Sequence, residues 1–161
     1  MSKNQKVAKT NAMRALDAQH INYEYTAYAS DGFMDGVSVA QAVGKAPETV
    51  FKTLVTVAAS RQNYVFVIPV AAELDLKKAA ASVGEKSIAM LPAKNITATT
   101  GYIKGGCSPI GMKKLFPTVI DDSAQALAEI TVSAGKLGLQ ITLAPQDLAQ
   151  VCTAQFAQLT V

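Results

Sequence analysis

Residues 49–70 read TVFKTLVTVAASRQNYVFVIPV. Two runs rich in β-branched and aromatic residues, TVFKTLVTVA and NYVFVIPV, flank the polar turn ASRQN, a pattern that predicts a β-hairpin. Lys52 interrupts the first run. At the two-residue spacing of a strand its same-face neighbours are Val50 and Leu54. An ammonium among apolar neighbours must snorkel, pair, or line a wet cavity. Two readings are therefore open: an edge-strand lysine reaching solvent, or a pocket lysine acting as a fixed donor to a phosphate, a sugar hydroxyl or a developing oxyanion.

Working outward, Ala12, Ala15 and Leu16 mark the apolar face of a helix predicted near Lys3 to Gln19. INYEYTAY is a β-rich run that ends in the polar loop SDGFMDG. SVAQAVG predicts a short helix with Ser38 as N-cap and Gly44 as stop. Beyond the hairpin, LDLKKAAASVG places Leu76, Ala79, Ala80 and Val83 on one helical face, with Asp75 as cap and Gly84 as terminator. SIAML reads as a short strand, and PAKNITATTG as a helix that begins at Pro92. PTVIDDS, EITVSAG and GLQITLA are strands, and APQDLAQVC closes as a helix. No linker, repeat or low-complexity tract divides the chain, so residues 1–161 are expected to form one domain. Strands and helices mix without strict βαβ alternation. The expected class is α/β (α+β), a mixed, mostly antiparallel central sheet flanked by helices, and not a Rossmann fold.

Composition narrows the function. Half of the 161 residues are apolar and 17% are charged, which excludes a disordered chain. The net charge of +3 does not identify a nucleic-acid binder. The lysines are nevertheless uneven: Lys3, Lys6, Lys9 and Arg14 precede the first acid, and Lys104, Lys113, Lys114 and Lys136 recur later. Cys107 and Cys152 are the only cysteines and His20 the only histidine, so no zinc site and no cofactor is expected. The unpaired cysteines suit a reducing compartment. The polar N-terminus lacks an apolar leader segment. YVFVIPVAA is too short for a membrane span. Cytoplasmic location without membrane contact is the expectation. Walker A, GxGxxG and HExxH motifs are all missing, and His20 sits at a predicted helix end without a triad partner nearby in sequence.

Residues 100–118, TGYIKGGCSPIGMKKLFPT, hold the remaining chemistry. Gly105 and Gly106 permit a sharp turn and close approach of a ligand. Pro109 restricts Ser108 to extended backbone. Successive N–H groups in such a loop form an anion-binding nest, or the loop is an ordinary glycine turn.

This loop, together with FKTLV, VIPVAAELDLKKAA, PTVIDDSA and VSAGKLGLQITLAPQDLA, resembles the YbaK/EbsC family of aminoacyl-tRNA deacylases, over about Tyr23 to Phe156. Within it the similarity is greatest to the Cys-tRNA(Pro) deacylases, which remove cysteine mischarged by prolyl-tRNA synthetase. The resemblance implies a mixed α/β fold and a set of pocket residues. Lys52 takes the place of the pocket lysine, with Thr53 beside it and Tyr28 at a pocket tyrosine. Gly105, Gly106, Cys107, Ser108 and Pro109 span the Gly-x-x-x-Pro loop, and Ser133 matches a pocket serine. Lys52, Gly105, Gly106 and Ser108 are thereby implied in catalysis. Tyr28, Thr53, Cys107, Pro109, Ser133 and Gln140 are implied in substrate binding. Gln140 stands where the family often carries an acid, and an amide neither carries charge nor takes a proton. Cys107 occupies a variable position and is not read as a nucleophile.

The resemblance further implies trans-editing of misacylated tRNA in which the substrate's own thiol attacks its ester. Misacylated tRNA(Pro) and prolyl-tRNA synthetase are the implied partners. Two alternatives stay open: a deacylase for Ala-tRNA(Pro) or another aminoacyl-tRNA that activates water, and a non-catalytic module binding tRNA or the synthetase. With no aromatic-basic RNA-reading pattern, tRNA contact would be largely electrostatic.

Overall fold

The computed structural model describes residues 7–30 and 34–161. Two sheets form. Glu24–Ala27 (β1), Ile130–Lys136 (β6) and Leu139–Leu143 (β7) make an antiparallel sheet in the order β1-β7-β6. Phe51–Ala58 (β2), Asn63–Pro69 (β3), Ile88–Met90 (β4), Thr118–Asp121 (β5) and Gln155–Ala157 (β8) make a mixed sheet in the order β4-β2-β3-β5-β8. The β2–β3 hairpin is antiparallel as expected, whereas β5 runs parallel to both β3 and β8. The single central sheet expected from the sequence is thus two sheets, bridged at Val50 and Thr131.

The continuous apolar run of β3 is explained by its place. Strand residues buried on both faces need no polar alternation. On one face, Val65 and Val67 join Phe51, Ile120 and the inward residues of β6 and β7 in the main core. Two helices, Asn11–Ala18 (α1) and Pro145–Cys152 (α5), close this core with Met13, Leu16, Leu148 and Cys152. On the other face, Tyr64, Phe66 and Ile68 pack with Ala79 and Ala80 of helix Leu76–Val83 (α3). Asp75 caps α3 by accepting from Lys77 N and Lys78 N, and Gly84 ends it at φ 71°.

Three helix boundaries differ from expectation. The first helix starts at Asn11, because Thr10 Oγ1 accepts from Met13 N at 3.2 Å and fixes the entry there. Residues 3–6 of the expected span lie outside the described residues. The second helix is Gly36–Ala42 (α2), capped by Asp35 and not by Ser38; Ser38, the third helical residue, supplies the N–H that the Asp35 carboxylate accepts at 2.7 Å. Pro92 opens only a 3₁₀ turn, Ala93–Asn95, which precedes the short helix Ile96–Thr100 (α4). Strand β8 carried no periodic signal and forms by parallel pairing with β5.

Candidate active site

A cavity of about 480 Å³ opens along one side of β2. Five consecutive residues, Phe51 to Val55, line it. Consecutive lining means the cavity sees the edge of the strand, since successive side chains of a strand point to opposite faces. The rest of the lining comes from Met34 to Gly36, Val39 and Val70, from Leu91, Ala93 and Ile96, from Lys104, Gly105 and Cys107, and from Ser133 with Gln140.

Lys52 is half-buried, paired with Ile68 of β3 in register. It forms no ion pair within 4 Å among the described residues. Burial holds its ammonium below the ordinary lysine pKa, and the field of Glu73 partly offsets that. Neighbouring Thr53 lies on the opposite face, and its buried Oγ1 has no hydrogen-bond partner. Gln140 is only 6% exposed, on β7 opposite Ser133 of β6, and both line the cavity. Ser133 Oγ already accepts from Gly135 N at 3.2 Å.

The glycine loop is held rigidly. Tyr102 Oη donates to Ile110 O at 2.6 Å, and Tyr102 N donates to Thr100 Oγ1 at 3.1 Å. Gly105 sits at φ 87° and reaches the cavity. Gly106 packs on the β6–β7 turn, where a Cβ would lie 3.1 Å from Leu137 N. Ser108 is fully buried and accepts from Ile110 N at 3.2 Å, so its hydroxyl braces the loop and does not line the cavity. Pro109 is outside the cavity as well; its carbonyl accepts from Cys152 Sγ at 3.3 Å. Tyr28 is half-buried, with its N–H bonded to Gly138 O, and also lies off the cavity wall.

The structure therefore gathers Lys52, Thr53, Gly105, Cys107, Ser133 and Gln140 around one space and leaves Tyr28, Gly106, Ser108 and Pro109 behind it. Sequence reasoning missed Asp35 and the apolar wall of Met34, Val39, Val70, Met90, Leu91 and Ile96. Asp35 read only as part of a polar loop. Its signal was available in the Asp-x-x-Ser spacing of a helix cap.

The chemistry of the wall is narrow. Burial pushes the Cys107 thiol up to about 11, so it stays protonated at neutral pH. Asp35 is the one carboxylate among the described lining residues, and hydrogen bonds from Ser38 hold its pKa down, which makes it a poor base. His20 is exposed at the end of α1 and is not part of the cavity. Among the described residues no group of three or more His, Cys, Asp or Glu gathers where it could hold a metal.

Comparison with known proteins agrees in family. The family model for the aminoacyl-tRNA editing domain matches residues 34–151. The chain belongs to the aminoacyl-tRNA editing family. A protein of Enterococcus faecalis named for Cys-tRNA(Pro)/Cys-tRNA(Cys) deacylation, EbsC, is 47% identical over 99% of this chain and 98% of its own length. A crystal structure described as that of a trans-editing enzyme for prolyl-tRNA synthetase superposes with a TM-score of 0.82 at 24% identity, covering 94% of this chain and 95% of that one. The crystal structure of the hypothetical protein APE2540 gives a TM-score of 0.85 at 18% identity, covering 94% and 100%. These two likenesses establish the mixed α/β fold. No helix among the described residues is long and apolar enough to cross a membrane.

Proposed function

We propose that this chain, as one editing domain, hydrolyses misacylated tRNA in trans, chiefly Cys-tRNA(Pro). The name of the 47% identical relative supports that substrate. The observation that carries the mechanism is a cavity with a cation but no competent nucleophile or base among its described lining: Cys107 is held as a thiol, Asp35 is a capped, weakly basic carboxylate, and Gln140 replaces an acid. The attacking group is then the substrate's own thiol. Its sulfur, as thiolate, attacks the ester carbonyl; the C–S bond forms, the C–O bond to the terminal ribose breaks, and the ribose oxygen takes up a proton. The products are tRNA and a cyclic thioester of cysteine, which water opens.

Lys52 serves as the cation for the developing oxyanion, and the Gly105 backbone lets the ester approach closely. Gly106, Ser108 and Pro109 shape that loop from behind. Tyr28 borders the same region through its bond to the β6–β7 turn and acts indirectly. The lysines outside the cavity, Lys113 and Lys114 among them, meet phosphates, and prolyl-tRNA synthetase supplies tRNA identity in the compartment of translation, the cytoplasm. The deciding test is incubation with tRNA(Pro) charged with radiolabelled cysteine: enzyme-dependent release supports the reading, and stable Cys-tRNA(Pro) bound without turnover would leave a non-catalytic module.

A further inference from the structure

The pairing of β4 along the edge of β2 stops short of Thr53. In an antiparallel ladder, hydrogen-bonded pairs alternate with non-bonded ones. Val70 N donates to Val50 O at 2.8 Å and Ala58 N to Gln62 O at 3.0 Å, so the even-numbered residues of β2 exchange bonds with β3. The odd-numbered residues turn their N–H and C=O groups the other way. Val57 uses them on Ala89 of β4, and Val55 O accepts from Leu91 N at 3.0 Å. The same register would bring Ala93 opposite Thr53. Pro92 intervenes, and the chain turns away into the 3₁₀ segment Ala93–Asn95. On the other side, the three-stranded sheet is bridged to this edge at Val50, through Thr131. In the sheet Thr53 is registered only opposite Val67 of β3, in a non-bonded pair, so its amide and carbonyl have no ladder partner on the cavity side. Thr53 lines the cavity that Ala93 also lines from across the gap.

A free α-aminoacyl group has the polar layout of one strand residue: an amine and a carbonyl on adjacent carbons. Such a group can exchange both bonds with Thr53 as an antiparallel partner would. We infer that the aminoacyl ester docks on β2 as a one-residue strand, its amine donating to Thr53 O and its ester carbonyl accepting from Thr53 N–H. This rests on the deacylase reading above and identifies how that site recognises its substrate. Directly opposed residues in a sheet share a face, so the substrate side chain falls on the Thr53 side of β2. A D-residue would turn its side chain to the Lys52 and Leu54 face instead. Met90 and Leu91 also line the cavity and offer an apolar surface to the terminal nucleoside.

The test uses tRNA(Pro) esterified with L-cysteine, D-cysteine or 3-mercaptopropionate, all of which keep the thiol. Each enzymatic kcat/KM is divided by the spontaneous hydrolysis rate of the same ester. The docking predicts that the D-cysteinyl and amine-free esters fall at least tenfold below L-cysteinyl. Equal normalised rates for the three esters would overturn the strand docking while the deacylase reading stands. Failure to cleave L-cysteinyl-tRNA(Pro) at all would overturn the deacylase reading and this inference with it.

Discussion

The Tyr102 hydroxyl donates to the Ile110 carbonyl at 2.6 Å and closes the glycine loop on itself. The ring also fills the space that Gly135 leaves, where a Cβ would come within 2.6 Å of Tyr102 Cε1. One side chain thus ties the loop ends together and seats the loop on β6. Tyr102→Phe keeps the ring and leaves a buried carbonyl unpaired, a cost of about 1–3 kcal/mol. Urea denaturation should show that loss. Deacylation should fall through kcat, because the loop that admits the ester loosens.

Lys52 should set the alkaline limit of activity. Its ammonium is lost at a lower pH than an exposed lysine's, because burial disfavours the charge. Activity needing both substrate thiolate and a charged Lys52 should rise with pH through the thiol range and then fall. Glu73→Gln removes the carboxylate that favours the ammonium and should move the falling limb to lower pH, read from a kcat/KM profile. Lys52→Ala should lose roughly 10²–10³-fold, the scale of one oxyanion donor, with unchanged circular dichroism. Lys52→Arg should restore only part, since a guanidinium is broader and differently directed.

Cys107→Ser should retain most activity. The thiol is pushed up to about 11, so the thiolate that could attack an ester is scarce between pH 7 and 9. Mass spectrometry of a quenched reaction should find no acyl group on Cys107. A trapped thioester there would restore covalent catalysis by the protein.

Asp121 bears on stability and not on chemistry. It is 3% exposed; Oδ1 accepts from Leu159 N at 2.9 Å and Oδ2 from Ser123 N at 3.2 Å. The carboxylate thereby fastens the C-terminal segment to the end of β5. Asp121→Ala orphans both donors, at about 1–3 kcal/mol for each one left buried. Asp121→Asn keeps one acceptor and should lose less. Thermal unfolding should rank them wild type, Asn, Ala.

Much of the fold was legible because its signals are local. The β2–β3 hairpin, α3 between Asp75 and Gly84, and strands β5 to β7 each carry their own periodicity and end signals. The division into two sheets was not legible, because it depends on β5 pairing parallel with β3 and on β1 joining β7 from far along the chain. The site divides the same way. Lys52 stood out by its apolar neighbours, and the glycine loop by composition. The burial of Ser108 and the position of Tyr28 behind the cavity follow from tertiary packing that no short motif encodes. Pro92 was visible as a helix opener, yet its larger effect is to end the β4 pairing and open the edge at Thr53.

The central claim is that the substrate supplies the nucleophile. The most direct measurement compares single-turnover cleavage of tRNA(Pro) charged with cysteine, serine and alanine, with a thiol trap present to capture any cyclic thioester. A thiol is partly ionised near neutral pH and a hydroxyl essentially is not, so serine should be cleaved far more slowly than cysteine despite its similar shape, and alanine more slowly still. The cysteine reaction should yield the trapped thioester product and should persist in His20→Ala. Comparable rates on all three esters with no trapped product would contradict the account and establish an enzyme that activates water.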